Sequence, residues 1–87
     1  MTVLEQILEY YPRSCESVKL PDFDHCVIGF DEIDNRLVYD ISLMIGSLID
    51  DGMTEEESQD FINNNVLGSD VISVDGPIFI HTFKLEL

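Results

Sequence analysis

CVIGFDEIDNRLVYDISLMIGSLI, residues 26–49, places two different periodicities back to back. Its first half has apolar runs at 26–30 and 36–39 around the polar cluster Asp31-Glu32-Ile33-Asp34-Asn35. Apolar, partly β-branched runs flanking a short polar segment predict a β-hairpin. In the second half, Ile41, Met44, Ile45, Leu48 and Ile49 recur every three or four residues, the buried stripe of an amphipathic helix. Asp40 suits its N-cap, because a carboxylate there can accept from the first free amides. Gly52 suits its far end, where the chain must turn left-handed.

Working outward, Thr2 and Glu5 stand at capping-box spacing, and Val3, Leu4, Ile7, Leu8 and Tyr11 follow at helical intervals until Pro12 stops the run. Residues 13–21 have no clear period and read as a connecting loop. Thr54 and Glu57 repeat the capping-box spacing and open a further helix that carries Phe61, Ile62 and Val66 inward. Asn63-Asn64-Asn65 weakens its far end, and Gly68 is placed to close it. Near the C-terminus, residues 71–74 and 78–83 flank Asp75-Gly76, a strong turn signal, and predict a second hairpin. Pro77 cannot donate to a ladder, so that strand should start one step later or lie at an edge. The sum is an α+β fold: a small antiparallel sheet from two β-hairpins packed against two to three helices. It forms a single acidic α+β domain over residues 1–87. The expected core is Val27, Ile28, Leu37, Tyr39, Ile45, Leu48, Phe61, Ile78 and Ile80.

Composition narrows the function classes. The chain has 4 Lys plus Arg against 18 Asp plus Glu, a formal net charge of −14. Direct binding to a nucleic-acid backbone needs cations to displace phosphate counterions, so no direct nucleic-acid partner is expected. Docking on an anionic membrane is disfavoured for the same reason. With 45% hydrophobic residues in ordered patterns, the sequence is nevertheless not that of a disordered acidic tail. No apolar stretch approaches the roughly 20 residues of a transmembrane helix. The start Met1-Thr2-Val3-Leu4-Glu5 lacks the basic and apolar regions of a signal peptide, so a cytoplasmic location is expected. Cys15 and Cys26 are accordingly expected to be free thiols.

The chemistry-bearing residues do not assemble an enzymatic motif. His25-Cys26 invites a base-and-nucleophile reading, but strand neighbours point to opposite faces, and no nucleophile elbow accompanies them. Asp22, Asp24 and His25 resemble metal ligands in type. Neither an EF-hand order nor paired zinc spacing is present around them. Carboxylate pairs abound without a cleft, and there is no glycine-rich phosphate loop. The expectation is therefore a protein that is not an enzyme, with no metal and no cofactor.

Charge placement carries the remaining signal. Residues 1–21 have net charge −1 and residues 61–87 net −2, whereas residues 22–60 hold twelve acids and only Arg36, net −11. These acids group at the first hairpin turn and at the junction between the two middle helices. One reading is a solvated surface that serves solubility, with acids favoured at helix N-termini. Yet −14 exceeds the usual range for a small domain, and self-repulsion opposes compaction. The other reading is a surface that docks a basic groove on another protein in place of nucleic acid. Its expected contacts are Asp31, Glu32, Asp34, Asp50, Asp51, Glu55, Glu56 and Asp60, with Thr54 and Glu57 reserved for capping. A rival is an adaptor that binds through apolar surface or sheet-edge pairing, which also offers a route to a homodimer.

Residues 22–79 resemble a group of small, mostly uncharacterised acidic bacteriophage-encoded proteins. The matching pieces are Asp24-His25-Cys26-Val27-Ile28-Gly29, Arg36-Leu37-Val38-Tyr39-Asp40 and Asp51-Gly52-Met53-Thr54-Glu55-Glu56-Glu57. Phe61, Asn65, Gly68 and Gly76-Pro77-Ile78-Phe79 complete them. Ser58 departs from the group, in which a small Ala is commoner at that place. The resemblance implies a phage inhibitor of the anti-CRISPR or DNA-mimic type, acting in the cytoplasm of the host bacterium. Its implied partner is a basic nucleic-acid-binding bacterial protein or complex.

Overall fold

Each helix begins where a local hydrogen bond can start it. In the computed structural model, which describes residues 2–17, 19–67 and 76–83, α1 (Val3–Tyr10) opens on a full Thr2/Glu5 capping box. Helix α2 (Ile41–Asp50) starts at Asp40, whose Oδ1 accepts the Ser42 amide at 2.8 Å. It ends in a Schellman arrangement, with Gly52 N–H donating to Ile49 O and Met53 N–H to Leu48 O. Gly52 has φ +109°, a conformation that explains a glycine there. Helix α3 (Glu55–Phe61) opens on the second capping box, with Glu57 N to Thr54 Oγ1 and Thr54 N to Glu57 Oε1 both at 3.1 Å. It runs on into a π-helical turn, Ile62–Val66, which contains the three asparagines. Gly68 lies outside the described residues.

The first hairpin forms as the pattern predicts. Strand β1 (Val27–Asp31) pairs antiparallel with β2 (Arg36–Asp40), and Asn35 takes φ +57° to close the turn. Between the Val27↔Tyr39 and Gly29↔Val38 pairs, Ile28 is the extra residue of a β-bulge. The bulge breaks the alternation, so Ile28 is half-buried rather than a core residue. The expected loop over 13–21 is helical at both ends, with 3₁₀ turns at Pro12–Glu16 and Pro21–Cys26, and irregular at residues 17, 19 and 20 between them. Each begins with proline, whose fixed φ suits the first turn of a helix and whose missing N–H is not needed there.

The sheet is mixed, a correction to the expected purely antiparallel one. Strand β3 (Ile78–Ile80) pairs parallel with β2, in register Val38↔Ile78, Tyr39↔Phe79 and Asp40↔Ile80. Sheet order is β1-β2-β3. A parallel neighbour requires a crossover, which α2 and α3 supply. The other arm of the expected second hairpin, residues 71–74, lies outside the described residues. Pro77 precedes β3, so its missing amide costs the ladder nothing, and among the described residues the strand lies at the end of the sheet order.

Central strand β2 presents Leu37 and Tyr39 to the core, both fully buried. Around them pack Leu4 and Ile7 of α1, Phe23, Cys26, Val27, Ile41, Met44 and Leu48 of α2, and Ile62 and Val66. The Tyr39 ring stacks on Phe79 at 5.8 Å, and its hydroxyl accepts the Leu20 amide at 2.8 Å. Ile45, Phe61 and Ile78 are half-buried, and Ile80, expected inside, is exposed at the end of the short edge strand. Buried Asp40 ties three elements together: Oδ1 caps α2 and Oδ2 accepts Thr82 Oγ1 at 2.7 Å. Ser58 is fully buried and donates to Thr54 O at 2.8 Å. That site takes only a small residue, and the local carbonyl satisfies its hydroxyl, which is why serine stands where alanine would also fit.

Candidate functional site: an acidic surface in two parts

Of the twelve acids in residues 22–60, ten are exposed; Asp31 is half-buried and Asp40 buried. The eight expected contact residues divide into two groups at different places on the fold. Asp31, Glu32 and Asp34 sit at the β1–β2 turn. Asp50, Asp51, Glu55, Glu56 and Asp60 sit around the junction of α2 and α3. Helix α2 leaves β2 at Asp40, the end of the strand remote from the turn, about 13–17 Å along it.

The turn is tied down. Asp31 Oδ1 accepts the Ile33 amide at 3.1 Å, an Asx turn that needs that carboxylate. Ser17 Oγ donates to Asn35 O at 2.7 Å, and Asn35 Nδ2 donates to Arg13 O at 3.1 Å. The Glu32 carboxylate beside Tyr11 pushes the phenol above its ordinary pKa, by hydrogen bonding and by its charge. Tyr11 also rests against Phe30, with ring centroids 5.1 Å apart. Asp31 therefore holds the turn in shape, while Glu32 and Asp34 are exposed.

The junction is electrostatically uneven. Glu55, Glu56 and Glu57 occupy the first turn of α3, where the free amides and helix dipole favour anions. Asp50 closes α2 and Asp51 caps it, at the end where the dipole disfavours anions, and no basic residue stands in that last turn. Among the described residues, no cation pairs with these acids. Lys19 Nζ donates to the carbonyls of Ser14, Cys15 and Ser17, and Arg36 Nε donates to Gly76 O at 2.8 Å. Lys19 and Arg36 are thus directed to backbone oxygens, and the third described cation, Arg13, is exposed on the Pro12–Glu16 turn.

The candidate nucleophile and base do not meet. Cys26 is fully buried, and burial, with a smaller contribution from Asp40, pushes its thiol up to about 11. At neutral pH it is protonated. His25 is exposed and its Nε2 lies 3.0 Å from Ser47 Oγ of α2, a partner 22 residues away that no spacing rule could find. Cys15 is exposed, and both thiols are free. Asp22, Asp24 and His25 lie on the Pro21–Cys26 turn, and no three His, Cys, Asp or Glu side chains converge as metal ligands among the described residues.

Two open grooves border these elements. One, of about 260 Å³, is lined by Ile41, Ile45, Gln59, Ile62, Asn63, Leu67 and His81. The other, of similar volume, lies beside His25, Ser42, Leu43, Gly46, Ser47 and Asp50. No helix among the described residues is long and apolar enough to cross a membrane. No protein-family model, curated protein or solved structure matches the chain.

Proposed function

We propose that this chain is a non-enzymatic bacteriophage inhibitor whose acidic surface blocks the nucleic-acid-binding site of a bacterial defence or host protein. The observation that carries the reading is the pair Asp50 and Asp51 at the C-terminal end of α2. They are exposed, lack a basic neighbour in the turn, and sit where the helix dipole opposes them. Acids at the start of α3 have a structural reason to be there; these two do not. A carboxylate pair kept against local stability suits contact with Arg and Lys side chains that otherwise bind phosphates. The directing of Lys19 and Arg36 to carbonyls supports the same reading, since neither base competes for the acids. Such a protein acts in the host cytoplasm as a competitor of DNA or RNA, as the likeness to acidic phage proteins implies.

The test replaces Asp50, Asp51, Glu55 and Glu56 with Lys and measures capture of partners from lysates of defence-bearing bacteria, with and without added DNA or RNA. Loss of the captured protein on charge reversal, and its displacement by nucleic acid, is the expected result. Capture that survives reversal and high salt sinks the proposal. It would favour the adaptor reading, for which the exposed Phe83 and the end position of β3 among the described strands are the supporting observations.

A further inference from the structure

The hairpin end carries something that the helix junction lacks. Ile33, at the tip of the β1–β2 turn, is 88% exposed, and Tyr10, at the end of α1, is 83% exposed. The two flank a strip: Tyr10 lies 6.2 Å from Tyr11 between ring centroids, Tyr11 stands beside the Glu32 carboxylate, and Ile33 follows Glu32 in the chain. At the junction the exposed apolar side chain, Ile49, keeps more than half of its surface covered.

An isoleucine is a poor choice for a solvated turn, where Gly, Asn, Asp and Ser are favoured. Nor is this turn loose. Asp31, Asn35 and Ser17 hold its backbone through the hydrogen bonds described above, so the Cα of Ile33 is presented to solvent from a tied turn. A rigidly presented apolar side chain with tyrosines beside it loses little conformational freedom on binding, which is how interface anchors behave. Its surroundings state the sign of the partner. Asp31, Glu32 and Asp34 neighbour Ile33 in the chain; of the two bases near the turn, Arg36 is directed to Gly76 O and Arg13, exposed, meets the turn through its carbonyl, which leaves the acids in excess.

We propose that the hairpin end is the selective half of the binding surface, with Ile33 as its apolar anchor. It fits a basic protein surface that offers an apolar socket rimmed by Arg or Lys. This rests on the reading of the acidic surface as a docking surface, and it adds which end selects the partner and by what contact. Nucleic acid offers no such socket on its phosphates, so a chain that only imitated phosphate charge would have no use for Ile33.

The probes are two synthetic peptides of equal length and charge, one alternating Arg with Leu and the other Arg with Ser. Each is titrated into the full chain while backbone amide shifts are followed at low salt. The Arg/Leu peptide is expected to shift residues 32–35 together with Tyr10 and Tyr11. Burying an isoleucine side chain corresponds to about tenfold or more in affinity, so Ile33→Ser should weaken that peptide by at least about tenfold. Ile33→Val should restore most of the loss, and the Arg/Ser peptide should change less than about twofold with either variant. Because Ile33 is almost fully exposed, neither substitution threatens the core. If Ile33→Ser leaves the Arg/Leu peptide unaffected, or if the shifts centre on residues 50–56, the anchor is overturned while the acidic docking surface stands. If neither peptide binds at low salt, the docking reading itself falls and the anchor with it.

Discussion

Reversing Asp50 and Asp51 to Lys tests whether these acids are held against the stability of the fold. Both lie at the negative end of α2, on an exposed surface, with no basic residue in the last turn. A charge beside a helix terminus is worth about 0.3–1 kcal/mol at an exposed position, unfavourable here for an anion and favourable for a cation. Changing the sign at both positions therefore gains about 1–2 kcal/mol once salt screening is allowed for. Lys is also the better helix former at position 50, and the formal charge falls from −14 to −10 because each substitution adds two positive units. For a domain of this size about 1 kcal/mol shifts Tm by roughly 4–8 °C, so the double variant should melt about 5–10 °C higher. The assay is thermal unfolding followed by far-UV circular dichroism at low salt and again at about 0.5 M, where screening should shrink the gain. The same variant should lose partner capture. A Tm that falls or stays put at low salt would refute the view that Asp50 and Asp51 oppose folding, and with it the chief support for a binding role.

The two described helix-end and helix-interior glycines should respond with opposite signs. Gly52→Ala meets no atoms within 4 Å but forces alanine to φ +109°, and should destabilise by about 1–2 kcal/mol in urea unfolding. Gly46→Ala, also in open space but inside α2, should stabilise by about 0.5–1 kcal/mol. Asp40→Ala removes both the α2 cap and the acceptor of Thr82, and should lower stability by about 2–4 kcal/mol, whereas Asp40→Asn should lose less than half of that. Equal losses for the two variants would show that the hydrogen bonds are not what Asp40 contributes. With a thiol reagent near pH 8, Cys15 should react at once in the native protein and Cys26 only after unfolding. Because the Cys26 thiol is raised to about 11 in the fold, its contribution to stability is complete below about pH 9 and is lost as pH rises towards 11. A urea midpoint that rises across that window would contradict the burial assigned to this thiol.

What the sequence determined by itself is whatever is decided within four or five residues. Thr2/Glu5 and Thr54/Glu57 cap their helices, Asp40 starts α2 and Gly52 ends it, because donor and acceptor are neighbours along the chain. The alternation of Leu37 and Tyr39 marked the buried face of β2 for the same reason. Composition likewise located the acids, since exposed carboxylates need no partner to be found. Only the tertiary structure decided what those acids face. The parallel pairing of β3 with β2, the bulge at Ile28 and the Asp40–Thr82 bond across 42 residues depend on contacts that no local period encodes. So do the placing of Tyr11 beside Glu32 and the Arg36–Gly76 bond. The physical reason is one of range. Caps and stripes are set by the geometry of a single helix or strand, whereas the identity of a charge's neighbour is fixed only once distant segments have packed.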